Sequence, residues 1–545
     1  MIIKTVLFLL VSIDLALSEE NIVIKTPLGS IEGVQSKSSK GDTFYSFLGV
    51  PYAEPPTGEF RFREPQAKQP WGDKVLKATK DGKVCPQPVI FFNNSEMSED
   101  CLFMNIHTRH IKDDKTLVPV LFYVHGGGYF FGSGHSVVIA GPDFFLNHDV
   151  VLVSINYRLG PLGFASTGSQ LAPGNFGFKD MVMALKWVQE NIKAFGGDPD
   201  SVTIFGHSAG GMSISHLMVS PMTKGLFHKA IAMSGSATTY FKTENQDWTK
   251  KLAKDCECPI ENEEEMMTCL KKQPWEKIIS TYWAWETYPF GTLKWNYEIE
   301  KDFGQEVFIT DEINNLYEKG DFQKVPFMTG IVPNEFDYVG LQFLKYPEIL
   351  QQINSEPEKH FPIIFDYPPR LFSNSKEVTE DIRKVYLKNE EFSDKNFKEF
   401  GVLFSDAIIS FAVNHLVNLV RKHGEIFVYE FEYKGIFTEA TRNVGYEVDC
   451  GVVHADDLQY LFSTNVAPRY TPEDKEHKIV DMMTSIYVNF AASGNPNFNQ
   501  TPLWTPSNSS DLAVFHIGEN LRTSEDQLIP EERYQVWEKL IKGNK

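Results

Sequence analysis

The run Gly206-His-Ser-Ala-Gly210 constrains this 545-residue chain more than any other stretch. It follows the apolar segment Val202 to Phe205, which predicts a buried strand, and precedes Gly211 to Met218, which predicts a helix. A chain that passes from a strand end to a helix start in so few residues must turn sharply. The flanking glycines remove side chains that would collide in that turn. The serine between them is then held out above the strand ends, next to the free amides and positive end of the helix. Gly-x-Ser-x-Gly is short enough to recur by chance, and elsewhere the same serine would merely cap a helix. Its setting between strand and helix gives it weight.

The neighbouring sequence repeats that setting. Val118 to Val124 reads as a strand running directly into His125-Gly-Gly-Gly128, and Val150 to Ile155 is a continuous apolar run, as expected of a strand covered on both faces. Between Asp180 and Phe195, Met181, Ala184, Leu185, Val188 and Ile192 fall on one helical stripe. Alternating strands and helices imply an α/β architecture with a mainly parallel sheet. The second half is less regular and predicts loops and helices around a pocket. The acidic run Glu261 to Glu265 reads as a solvated loop or helix start. No internal repeat or low-complexity linker interrupts the chain.

A serine placed in this way becomes a nucleophile only with a base, an acid that orients the base, and donors for the oxyanion that forms on the substrate. His125-Gly-Gly-Gly128 follows a strand and offers backbone amides without side chains in the way. Gly127, Gly128 and Ala209 are therefore the candidate oxyanion donors. The base is harder to choose among fourteen histidines. If the chain order is nucleophile, acid, histidine, then His415, His423, His454, His477 and His516 all qualify. His454 stands out because it follows the turn-like Gly451.

Composition is that of a globular protein, 42% apolar and 23% charged, and the formal net charge of −20 disfavours nucleic acid and anionic membrane surfaces. The first 18 residues read as a signal peptide: Lys4, an apolar run from Thr5 to Leu17, then small residues before Glu19. No later run is long enough to predict an integral membrane segment. Six cysteines suit an exported chain, and short loops favour the pairs Cys85–Cys101 and Cys258–Cys269, leaving Cys256 and Cys450 free or paired. Asn93, Asn499 and Asn508 head sequons for glycosylation.

Taken together, these residues resemble the type-B carboxylesterase family, in its insect-type branch, a family that also contains the cholinesterases. The resemblance spans nearly the whole mature chain. It is carried by Glu99-Asp-Cys-Leu-Phe-Met-Asn-Ile106, His125-Gly-Gly-Gly128, Asn156-Tyr-Arg-Leu-Gly-Pro-Leu-Gly-Phe164, Gly174-Asn-Phe-Gly-Phe-Lys-Asp180, Phe195-Gly-Gly-Asp-Pro199, the Ser208 turn, Met233-Ser-Gly-Ser236, Ser493-Gly-Asn-Pro496 and Trp537-Glu538. It implies an α/β-hydrolase fold, a large mainly parallel central sheet with helices on both faces, built as one domain over residues 19–545. It implies a secreted serine esterase acting on small-molecule carboxylic esters, with no metal and no other cofactor. Nothing in it fixes an oligomeric state.

The family's acid lies in a Gly-x-x-x-Asp/Glu-Glu-Gly stretch. Its match here, Gly330-Ile-Val-Pro-Asn-Glu-Phe336, points to Glu335, although Asn334 and Phe336 depart from the pattern. The Gly-x-x-His stretch falls on Gly451 to His454. The implied triad is Ser208, Glu335 and His454. The resemblance also implies structural ion pairs Arg61–Glu99 and Arg158–Asp180. It matches the two local disulfides and has no clear counterpart for a third, so Cys450 is expected to be a free thiol. The loop from Cys85 to Cys101 is short and lacks the choline-binding tryptophan, and His207 stands where cholinesterases carry an acid. Juvenile-hormone esterases usually carry glutamine there. A general carboxylesterase for xenobiotic, odorant or lipid-derived esters fits best. A hormone esterase and a non-catalytic binding or adhesion protein on the same fold are the alternatives. Phe290, Trp295 and Tyr297 are either acyl-pocket residues or ordinary core.

Overall fold

The computed structural model describes residues 21–111, 116–242, 244–284, 288, 293–498 and 503–543. The expected signal peptide, Phe290 and Asn499 lie outside them. Among the described residues one sheet of 13 strands organises the chain. In sequence order the strands are β1 (Ile22–Thr26), β2 (Gly29–Lys37), β3 (Thr43–Pro51), β4 (Gly72–Lys77), β5 (Phe103–Thr108), β6 (Val118–Val124), β7 (Val151–Ile155), β8 (Gly197–His207), β9 (Lys229–Met233), β10 (Phe327–Ile331), β11 (Phe427–Phe431), β12 (Val514–Ile517) and β13 (Arg522–Ser524).

Across the sheet the order is β1-β2-β3-β5-β7-β6-β8-β9-β10-β11-β12-β13, with β4 paired to β2 off this path. From β7 to β12 every neighbouring pair is parallel. The flank from β1 to β7 is antiparallel, as is β12 with β13. The sheet is thus mixed, and its parallel part is the centre. The reason is the length of the connections. β1 and β2 are joined by two residues, which allows only a hairpin, whereas parallel neighbours need a crossover long enough to hold a helix.

The central strands are apolar without alternation because both faces are covered. On β6, Val120, Phe122 and Val124 join one core with helices Phe176–Asn191 and Ala209–Val219. Leu121 and Tyr123 point into a second core with helix His477–Ser493. Burying side chains of this size contributes about 1.5–3 kcal/mol each. The helical stripe read from Met181 to Val188 is buried as expected, but its helix begins earlier, at Phe176, and Ile192 falls in a short 3₁₀ turn after it. The acidic run opens helix Glu263–Lys272, with the Asn262 side chain accepting from the Glu265 N–H at 3.1 Å.

Two disulfides close local loops, Cys85–Cys101 and Cys258–Cys269, with S–S distances of 2.04 and 2.03 Å. Cys256 and Cys450 are buried free thiols. Arg158 pairs with Asp180 through Nε and Nη2, at 2.8 and 2.6 Å, with both side chains buried. Arg61 and Glu99 form the second expected pair. The segment Phe397–Val420 is long and apolar enough to cross a membrane, but most of it is buried inside the protein. Its helix is interrupted by a π-turn, Asp406–Ser410, a deformation that often accompanies a functional site.

Candidate active site

Ser208 sits where the sequence predicts, between the last residue of β8 and the first of helix Ala209–Val219. Its backbone is left-handed, φ 60° and ψ −125°, an unfavourable state for a residue with a side chain. The turn is held by the Ser208 N–H, which donates to the Met233 carbonyl at 2.9 Å. Close packing explains the following glycine: a Cβ on Gly210 would lie 2.1 Å from the Val124 carbonyl oxygen.

Gly127, Gly128 and Ala209 line the same cavity as Ser208. Gly127 has φ 105°, and a Cβ there would meet the Phe131 carbonyl at 2.0 Å. Its own carbonyl accepts from the Phe130 and Phe131 amides, which folds the loop back on itself. Among the described residues, neither the Gly127 nor the Gly128 N–H donates to a protein acceptor. His125 is fixed beneath this loop: its ring stacks on Tyr157 at 4.3 Å, and the Tyr157 hydroxyl donates to its carbonyl.

Glu335 and His454 come together from segments 119 residues apart. His454 Nδ1 lies 2.5 Å from Glu335 Oε2, and the His454 N–H donates to the Glu335 carbonyl at 2.8 Å. The other carboxylate oxygen, Oε1, accepts from the Val332 N–H at 3.0 Å. Burial pushes the Glu335 carboxyl above, and the His454 imidazole below, the usual range. Their contact opposes both shifts, because an imidazolium next to a carboxylate stabilises each charge.

The two departures from the family pattern both work at this contact. The Asn334 N–H donates to the Val452 carbonyl, and its Oδ1 accepts from the Val452 N–H at 3.3 Å. Asn334 Nδ2 donates to Asp337 at 2.8 Å. The Phe336 ring packs on the His454 ring with centroids 4.6 Å apart. The loop thus tied enters through Gly451, at φ 79°. On the opposite side His454 meets His207, with ring centroids 4.4 Å apart. His207 Nε2 lies 4.0 Å from the buried Asp457, a neighbour not foreseen from sequence.

Ser208 and His454 share a cavity of about 500 Å³. Much of its lining is apolar or aromatic, including Phe91, Phe131, Met212, Phe241, Phe336 and Phe365. The short Cys85–Cys101 loop supplies Ile90 and Phe91, and the π-turn supplies Ala407, Ile408 and Ile409. Trp295 and Tyr297 belong to the core, where the Tyr297 hydroxyl donates to Glu312 at 2.9 Å. Leu293 faces the cavity instead. The spacing of aromatic residues could not separate these roles. Of the sequon residues, Asn93 is exposed and Asn508 half-buried.

Similarity to known proteins identifies the family. The family model described as Carboxylesterase family matches residues 20–537. Esterase FE4 of Myzus persicae is 34% identical, over 94% of this chain and 91% of its own. Juvenile hormone esterase of Tribolium castaneum is likewise 34% identical, over 92% of this chain and 90% of its own. The crystal structure of juvenile hormone esterase from Manduca sexta, with OTFP covalently attached, superposes with a TM-score of 0.85 at 28% identity, covering 96% of this chain and 99% of that one. The mixed sheet with its parallel centre is accordingly an α/β-hydrolase fold. The chain belongs to the carboxylesterase family, and its activity is that of a carboxylic ester hydrolase.

Proposed function

We propose that ester hydrolysis runs through an acyl-enzyme on Ser208. His454 takes the Ser208 proton as the oxygen attacks the ester carbonyl. Glu335 fixes the tautomer with the proton on Nδ1 and stabilises the imidazolium that forms. The amides of Gly127, Gly128 and Ala209 receive the oxyanion, each donor contributing a few kcal/mol, about 2.7–4 by analogy with other oxyanion holes. His454 returns the proton to the departing alcohol, then activates water to release the acid. The observation that carries this reading is the 2.5 Å contact between His454 and Glu335 beside the cavity that Ser208 also lines. The covalent OTFP on the Manduca sexta relative supports covalent chemistry on this scaffold.

The substrate is a small ester with an apolar body, in keeping with the lining of the cavity. Secretion is part of the same proposal, with residues 1–18 removed on export. The two disulfide-bonded loops and a relative named venom carboxylesterase support it. A narrower reading, a juvenile-hormone hydrolase, draws on the relatives that carry that name.

The test is a burst and steady-state assay of the secreted protein on p-nitrophenyl esters of increasing chain length, beside Ser208→Ala. Steady turnover that vanishes in the variant is expected. Equal hydrolysis by the variant, or none by folded wild-type protein, overturns the Ser208 mechanism. Including juvenile hormone in the panel separates the general esterase from the hormone hydrolase.

A further inference from the structure

Among the carboxyls that line the cavity, Asp366 is unlike the rest. Glu439, the other one among the described residues, is held by Arg442 in an ion pair. Asp366 lines the cavity together with Ile364, Phe365, Tyr240 and Phe241. Among the described residues, no N–H or O–H donates to its carboxyl. The nearby Tyr240 hydroxyl donates elsewhere, to the Phe365 carbonyl at 2.7 Å.

The backbone makes the position odder. Asp366 lies just past the end of helix Pro357–Ile364 with φ 56°, the left-handed state in which glycine or asparagine is usual. A carboxylate there also faces the negative end of the helix. The charged groups around it are Glu244, Arg370 and Lys294. Glu244 and Arg370 already pair with each other. Lys294 does not reach Asp366 within ion-pair distance, and its ammonium lies 6.0 Å from the Trp248 ring centre. Asp366 is half-buried in an apolar wall and has no protein donor, so its carboxyl is left to partners in the open cavity beside it.

We propose that Asp366 is a second recognition point in this cavity, binding a protonated amine or comparable hydrogen-bond donor carried by the substrate at the end remote from its ester. The inference rests on the esterase reading above and names a class within it: esters of amino acids or amino alcohols whose charged end is separated from the ester by an apolar body. The apolar residues beside Asp366 lower the local dielectric, which strengthens a charge-assisted hydrogen bond there. The net charge of −20 draws cations toward the protein.

The pH dependence has a definite sign. Burial, with help from Glu244, pushes the Asp366 carboxyl up to about 7, while Arg370 and Lys294 oppose the shift. The carboxylate is the form that binds an ammonium group. Preference for the amine therefore grows as pH rises through that value, until the amine itself deprotonates.

Two measurements test the proposal. Calorimetric binding of n-hexylamine and of 1-hexanol is compared at pH 6 and pH 8 in wild type, Asp366→Asn and Asp366→Gly. Glycine suits the left-handed backbone, so it stands in if the asparagine variant folds poorly. Hexyl acetate against 6-aminohexyl acetate, and methyl hexanoate against methyl 6-aminohexanoate, then give ratios of kcat/KM. Wild type is expected to favour the amine by about tenfold or more at pH 8 and less at pH 6, and both variants are expected to lose that advantage. Equal binding of amine and alcohol by wild type at pH 8, or an advantage that survives both substitutions, overturns the proposal. Amine binding without any hydrolysis supports Asp366 and defeats the esterase reading. Hydrolysis without amine preference does the reverse.

Discussion

At the scale of single residues, the site turns on one short contact and what braces it. Glu335→Gln keeps the size of the side chain but removes the charge that opposes burial of the imidazolium. The expected result is a fall in kcat of about 10⁴-fold with KM little changed, by analogy with other triads. The acid limb of the pH profile moves to lower pH, because a base that loses its anionic partner binds its proton less tightly. Steady-state kinetics from pH 5 to 9 check both. Asn334→Ala leaves the triad intact but unties the Val452 N–H and Asp337 from the acid's turn. A displacement of His454 by a fraction of an ångström follows, and kcat is expected to drop about tenfold with a nearly unchanged melting temperature. Ser208 was legible because glycines and apolar runs mark a strand–helix turn in the sequence itself. Glu335 was legible only through the family resemblance, because Asn334 and Phe336 depart from the pattern; the fold shows Asn334 tied to Val452 and Phe336 packed on His454. Asp366 left no sequence signal, since a lone aspartate past a helix end looks like any surface residue.

At the scale of elements, parallel strands of the centre present their carboxyl ends to one rim, and the serine turn and the glycine loop both emerge there. β6 and β8 are hydrogen-bonded neighbours, with Val124 in register with Gly206. This pairing sets His125-Gly-Gly-Gly128 beside Ser208. Gly210→Ala would drive a methyl group against the Val124 carbonyl at 2.1 Å, forcing β6 and the helix apart. Its expected signature is activity lost out of proportion to stability, read by comparing kcat/KM with the urea midpoint. The central strands were legible as unbroken apolar runs. The antiparallel flank was not, because β1 to β3 carry many half-exposed, weakly patterned residues. The π-turn at Asp406 also leaves no periodic trace, since a single extra residue only slips the helical stripe.

At the scale of the whole molecule, two apolar cores sandwich the sheet, and a few buried ion pairs pin the loops between them. Arg158–Asp180 is the most enclosed of those described above. Asp180→Asn strands the guanidinium without its charge partner, and a loss of about 3–5 kcal/mol is expected in denaturant unfolding. Near-native kcat in the surviving folded fraction would show that the pair braces the scaffold and takes no part in chemistry.

The bonds that join Asn334 to Val452 and Glu335 to His454 tie together chain segments synthesised far apart. Each of them closes across more than a hundred intervening residues, which hold several helices and one strand, β11. A nascent or partly folded chain therefore holds the serine turn complete while the histidine is still absent from it. Turnover is therefore expected to appear in refolding only once this long-range contact has closed, which makes the first turnover a clock for the completion of folding.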